Sequence, residues 1–364
     1  MSQFIKKYIN PKSYWLAMTL LVYSSALLAN TLHIYNWNNY LPEATAKHFE
    51  SLCRCKVSQD FYGDNEEMLA KLTAGAQGYD IVVPTEFAVQ ALQKQKKVVA
   101  IAQKQLPNFK NLDKTYLPNI IDNKNRFSVP YAFTITLLGY NLTQLKLHGI
   151  HRQTNSWALL FDPTILAKIK GKVTVLDSQR ELIAAALLYL GKDPNSKKKA
   201  DWIAASQVII RAKPYWAAFN NQGYIKELAV GNIWVAMGYS SDFYQAKKYT
   251  QTMTKKFEID FGLQKEGNIL SLDSFVILNH STHKKLAYQF INFMLDGKNA
   301  ATLTNKIGLG NPNKAAIPYI DPSIIKNHAI FPTAKDMRHL YQLSDLNALL
   351  RRQLNRIWSE IKLR

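Results

Sequence analysis

The chain has 364 residues, 47% of them apolar and 20% charged, which excludes a disordered polypeptide and exceeds what one hydrophobic core usually organises, so two lobes are expected. Lys and Arg outnumber Asp and Glu by 46 to 26, a net charge of +20 that by itself points to nucleic acid, an anionic membrane surface or acidic partners. Only Cys53 and Cys55 are present, which excludes the disulfide framework that staples small secreted domains.

At the N-terminus Lys6, Lys7 and Lys12 precede a mostly apolar run at 14–29 that ends in small residues. This pattern predicts a secretory signal peptide over 1–29, cleaved after Ala26 or Ala29. Its sixteen apolar-run residues fall short of the roughly 20 needed to span a bilayer. The segment carries three lysines and no acid, so its removal takes the charge from +20 to +17, and the basic excess belongs to the mature protein.

From Leu32 the pattern alternates: strand-like at 32–37, helical at 42–52, strand-like at 56–61, helical at 65–74, strand-like at 79–84 and helical at 87–97. Asn65 is read as the cap of the second helix, with Glu66 and Glu67 in the first turn where negative charge suits the helix dipole. Cys53 is placed near a helix end and Cys55 at the start of a buried strand. An exported location would permit a bridge between them and their oxidation state stays open, but so tight a loop would need strained geometry, and the pair alone is too few ligands for zinc. The β-α-β-α-β order argues for a parallel sheet covered by helices. A long apolar stretch at 127–140 interrupts it. A second series follows, with strands at 173–176 and 233–237 around a helix at 180–190, then strand-like runs at 257–263 and 270–278 and a helix at 283–295. The chain is therefore expected to cross between its lobes more than once. Such a layout puts the carboxyl ends of both sheets on the two faces of one cleft, where open α/β folds bind ligands and close over them by hinging.

Aromatic and acidic residues gather just past these strand ends: Trp37 and Tyr40, Thr85 and Phe87, Asp177 and Glu181, Tyr239 and Asp242. Asp273 sits within an apolar strand, where an unpaired carboxylate is costly, so a cationic partner is expected, the ligand included. Each has a plainer reading. Trp37 and Tyr40 would cap the first helix, Glu181 would serve the helix dipole, Asp242 would be an N-cap, and Asp273 would pair with a lysine. His148 with His151, and His280 with His283, have H-x-x-H spacing without a third ligand nearby, so they are read as surface histidines and no metal is expected. No G-x-S-x-G, H-E-x-x-H or G-x-x-x-x-G-K-[ST] motif argues for an enzyme.

The runs Leu32-His33-Ile34-Tyr35-Asn36-Trp37, Tyr79-Asp80-Ile81-Val82-Val83-Pro84, Tyr189-Leu190-Gly191-Lys192-Asp193-Pro194-Asn195-Ser196, Ala287-Tyr288-Gln289-Phe290-Ile291-Asn292 and Asn313-Lys314-Ala315-Ala316 resemble the putrescine- and spermidine-binding periplasmic proteins of polyamine ABC importers, the putrescine branch more closely. The resemblance spans nearly the whole mature chain. It implies an α/β, periplasmic-binding-protein-like (type II) bilobal fold, with residues 30–138 plus 263–308 in one lobe and 139–262 plus 309–364 in the other. It also implies cleft aromatic and hydroxyl positions at Trp37, Tyr40, Thr85 and Tyr239, and amine-binding carboxylates at Glu181, Asp242 and Asp273. Asn38 and Asn39 stand where the family often has a small hydroxyl residue and an acid. Ser271 replaces an aromatic and Leu309 a tyrosine, and Phe87 falls where the spermidine branch has tyrosine.

These readings define the expectation: a periplasmic, non-enzymatic monomer without cofactor that captures a polyamine between its lobes. It would deliver that cargo to a membrane permease and bind no nucleic acid. The alternatives are a binder of another cationic or small polar solute, or a basic surface-binding protein.

Overall fold

The computed structural model describes residues 30–38, 40–116, 125–254 and 257–364. The signal-peptide reading of 1–29 and the candidate Asn39 lie outside the described residues.

The first half builds as the apolar alternation predicts. Strand β1 (Thr31–Trp37) leads to α1 (Glu43–Cys53), β2 (Lys56–Tyr62), α2 (Asn65–Thr73), the short β3 (Ile81–Val82) and α3 (Glu86–Lys94). Strand β1 pairs in parallel with β2 on one side and β3 on the other. One local expectation is corrected and one open point is closed. Helix α2 is capped by Asp64, whose carboxylate accepts from the Glu67 N–H at 2.7 Å, and Asn65 is its first residue, freed for another use. Cys53 and Cys55 are joined by a disulfide. The intervening Arg54 adopts φ 53, in the left-handed region, and this turn brings the two Cα atoms to 5.2 Å. The loop it closes is so short that chain entropy gives it about 1.5 kcal/mol. Converting both cysteines to serine is therefore expected to lower the melting temperature only slightly, as differential scanning calorimetry would show.

Strand β4 (Val129–Asn141) is buried along its whole length, each Val, Ile or Leu contributing about 1.5–3 kcal/mol by leaving water. Beyond it come β5 (Val173–Val175), α4 (Gln179–Tyr189), α5 (Lys199–Ala212), β6 (Ala218–Phe219), α6 (Tyr224–Val230), β7 (Val235–Tyr239) and α7 (Ser240–Gln251). Then follow β8 (Ile259–Gly262), β9 (Asn268–Ile277), α8 (Lys284–Met294), α9 (Gly297–Ile307), β10 (Leu340–Tyr341) and α10 (Ala348–Leu363), with shorter helical turns between.

Eight strands run in the order β2-β1-β3-β9-β4-β7-β5-β6, with β10 beside β9 and β8 beside β4. The long antiparallel pair of β4 and β9 joins the two halves, and the cores change over along it. Val129, Tyr131 and Ala132 of β4 and Phe275 and Ile277 of β9 pack with β1 and α8. Phe133 to Leu138 of β4 and Ile269 to Leu272 of β9 pack with α4, α5, α7 and α10. Asp273 lies at the changeover, opposite Ala132.

The segment between β10 and α10 lies against both halves. Asp345, its side chain 4% exposed, meets Lys94 of α3 at 2.9 Å. The Ser344 carbonyl accepts from Arg180 of α4 at 2.7 Å.

Candidate functional site

Strand ends from both halves open onto one cavity of about 210 Å³. Trp37 and Tyr62 close β1 and β2, Thr85 follows β3, Tyr239 closes β7, and Ser271 and Asp273 project from β9 at the changeover. Glu181 and Asp242 stand in the first turns of α4 and α7.

The structure brings ten of the eleven candidates together here: Trp37, Asn38, Tyr40, Thr85, Phe87, Glu181, Tyr239, Asp242, Ser271 and Asp273. Asn39 is not described. Asp177 lies elsewhere, paired with Lys362 at 2.9 Å, and Leu309 is a core residue of the first half. The sequence reading missed Tyr62, Gly63, Asn65, Thr134, Asn221, Gln222 and Ser241. Of these, Asn65 had a recoverable signal. Once Asp64 is recognised as the better cap, Asn65 becomes an amide aimed elsewhere, and it donates to the Thr85 hydroxyl at 2.6 Å.

Glu181 does stand where the dipole of α4 favours an acid, but the plainer roles of the other residues do not hold. Pro42 precedes α1 in the capping position, so Trp37 and Tyr40 are free to form a wall with Tyr62. The Trp37 ring lies 4.6 Å from that of Tyr62 and 6.1 Å from that of Tyr40. Tyr239 occupies the cap position of α7, and Asp242 instead accepts from the Tyr224 hydroxyl. Gly238 permits that contact, since a Cβ there would stand 2.5 Å from the Tyr224 oxygen.

The electrostatics are one-sided. None of the described lining residues is basic. The lysine of the plainer reading of Asp273 is absent among the described residues: Asp273 is 2% exposed and its Oδ1 accepts no hydrogen bond. Burial pushes its carboxyl well up, nearby Glu86 adds to this, and the polar edges of Tyr40 and Trp37 only partly oppose it. Burial raises Glu181 to about 7, and its Oε2 likewise has no partner. Asp242 keeps some surface open to the cavity it lines and rises to about 6 through burial, against hydrogen bonds from Tyr224 and Ser241. A site of this kind is electrically incomplete without a cation.

Other candidate chemistry does not assemble. His148 packs its ring against Trp234 at 4.4 Å, and His283 lies 3.3 Å from Asp80. No group of three or more His, Cys, Asp or Glu residues suited to a metal occurs among the described residues. No described helix is long and apolar enough to cross a membrane.

Residues 43–333 match the family model of the bacterial extracellular solute-binding proteins. A putrescine/cadaverine-binding protein of Pseudomonas aeruginosa is 49% identical over 94% of this chain and 96% of its own length. The putrescine-binding periplasmic protein PotF of Escherichia coli is 32% identical over 98% of each. Among solved structures, a Listeria monocytogenes protein assigned as a spermidine/putrescine ABC transporter superposes with a TM-score of 0.83 at 26% identity, covering 92% of this chain and 99% of that one. The TpPotD lipoprotein of Treponema pallidum gives 0.80 at 25% identity, over 92% and 100%. The architecture is thus the expected two-lobed α/β fold of periplasmic binding proteins, and the chain belongs to the bacterial extracellular solute-binding protein family.

Proposed function

We propose that this protein captures an alkyl diamine, putrescine or cadaverine before the longer spermidine, between its lobes in the periplasm, and as a monomer passes it to the permease of an ABC importer. One observation carries the reading: three carboxyl side chains from separate elements line a cavity with no basic lining residue among those described. Each ammonium end gains about 4 kcal/mol from a carboxylate at 4 Å and an effective dielectric of 20. An aromatic face adds about 0.5–2 kcal/mol. The acids therefore decide whether an amine binds, and Trp37, Tyr40, Phe87 and Tyr239 shape the path of its methylenes. The names of the similar proteins point the same way. The separate cores support a hinge on β4 and β9, and they draw the proposed crossings from 138 and 263 inward, toward 132–133 and 272–275.

Calorimetric titration of the mature protein with putrescine, cadaverine, spermidine, arginine and a neutral amide tests this. Diamines should give the tightest binding. Equal or better binding of the neutral compound, or no binding across the panel, overturns the reading. Gly238→Ala is a subtler probe. It should push Tyr224 off Asp242, cost about 1–3 kcal/mol of stability through overpacking and weaken diamine binding by about tenfold, as melting and titration would show.

A further inference from the structure

A fourth carboxyl stands behind the cavity wall. Glu86 opens α3 directly after the lining residue Thr85, and it is 1% exposed. Its Oε2 accepts from the Leu272 N–H at 2.8 Å. Leu272 immediately precedes Asp273 on β9, and the backbones of Thr85 and Asp273 are themselves bridged. Glu86 and Asp273 are thus fixed to the same short stretch of structure, one behind the wall and one in it.

The carboxyls facing Glu86 come from two other elements, while Arg180 of α4 lies 5.8 Å over the ring of the adjacent Phe87 and its charge acts on Glu181. From β9 it is faced by Asp273 and from α4 by Glu181. On α2, which packs against α3, Asn65 is neutral and bonded to Thr85, and Lys71 is turned to the Tyr79 hydroxyl at 2.7 Å. The lysine of its own helix, Lys94, is engaged by Asp345. Two carboxylates held close in dry protein with no cation cannot both be ionised, so such a pair keeps a proton between them.

We propose that Glu86 is a positioning residue that links cation capture to proton release: in the empty protein Glu86 and Asp273 hold one proton between them, and an ammonium group arriving at Asp273 expels it to solvent. This rests on the cationic-ligand reading above. In the step one carboxylic O–H ionises and water or buffer takes the proton. The ammonium keeps all of its own protons, and no other bond changes. The shared proton removes one negative charge from the empty cavity without a lysine or arginine that the ligand would have to displace. Burial raises Glu86 to about 8, with Glu181 contributing, which supports a proton held at neutral pH.

Titration with putrescine in two buffers of different ionisation enthalpy at pH 8 isolates this pair, because Glu181 and Asp242, raised to about 7 and about 6, are by then mostly ionised. The wild-type protein should release about half to one proton per putrescine. Glu86→Gln keeps an acceptor for the Leu272 N–H. It should still bind putrescine but release measurably less than the wild-type protein and show a shallower dependence of affinity on pH between 7 and 8, since burial alone then holds the Asp273 proton. A purely structural Glu86 would change the melting temperature and leave the proton count untouched. Infrared difference spectra of the unmutated protein supply a second measurement: putrescine should erase a protonated-carboxyl band. Putrescine binding without proton release, or the same release from Glu86→Gln, overturns the linkage alone. Absence of any putrescine binding overturns it together with the reading beneath it.

Discussion

Asp273→Asn is expected to weaken diamine binding by about a thousandfold and, at the same time, to raise the melting temperature of the ligand-free protein. The first effect follows from losing an ion contact worth about 4 kcal/mol, with each 1.4 kcal/mol a factor of ten in affinity. The second follows from the state of the carboxyl before the ligand arrives. Asp273 is 2% exposed, with an unpartnered Oδ1 and no described basic neighbour, so the native fold bears the cost of the proton that the carboxyl must take up to avoid a charge in dry surroundings. An amide of the same shape removes that cost, and a gain of 1 kcal/mol raises melting by about 2–4 °C in domains of 150–250 residues, less in a longer chain. Differential scanning fluorimetry with and without putrescine reads both effects. A lower melting temperature in the ligand-free variant, or a ligand-induced shift as large as that of the parent, contradicts the account.

The second expected result concerns pH. Affinity for putrescine should climb as pH rises from 5 to 8, by up to about tenfold per unit for each carboxyl that must ionise to receive the ligand. The diamine keeps its charges throughout, since alkylammonium groups titrate near 10.4 in the manner of lysine. Stability of the empty protein runs in the opposite direction. Asp242 and Glu181 bind protons more tightly folded than unfolded, rising to about 6 and about 7. Their contribution is therefore fully present below their unfolded values near 4 and is lost as pH rises through 6 and 7. Melting curves from pH 5 to 8, repeated with saturating putrescine, should diverge steadily. Parallel curves would show that the acids titrate independently of the ligand.

Much of this was legible in the residues. Strand-helix alternation from Leu32 onward and the acids just past strand ends marked the cavity, because open α/β sheets gather ligand groups at their carboxyl edges. Other parts depend on neighbours that no local pattern reveals. Tyr62 ends a largely exposed strand, and the sequence pattern gives no reason to extend that strand past Phe61 into the wall. Glu86, at the head of a helix, looks like ordinary dipole stabilisation; only the fold puts it behind Asp273. The cysteine pair looked too close to join until the left-handed Arg54 supplied the turn. Asp273 was expected to need a cationic partner, the ligand or a lysine, and its lack of a lysine among the described residues is what gives the cavity its character.

Opening on the hinge proposed for β4 and β9 would part Lys94 from Asp345, a carboxylate whose own side chain is almost wholly covered. Lys94 is more than half exposed and Arg180 also lies near Asp345, so losing this one contact costs about 1 kcal/mol or less. The contact thus adds a small bias toward the closed arrangement from a residue, Asp345, that lies beside Phe87 and Arg180 at the edge of the site. Closure is thus weighted in part by an ion pair whose two members do not themselves line the cargo cavity.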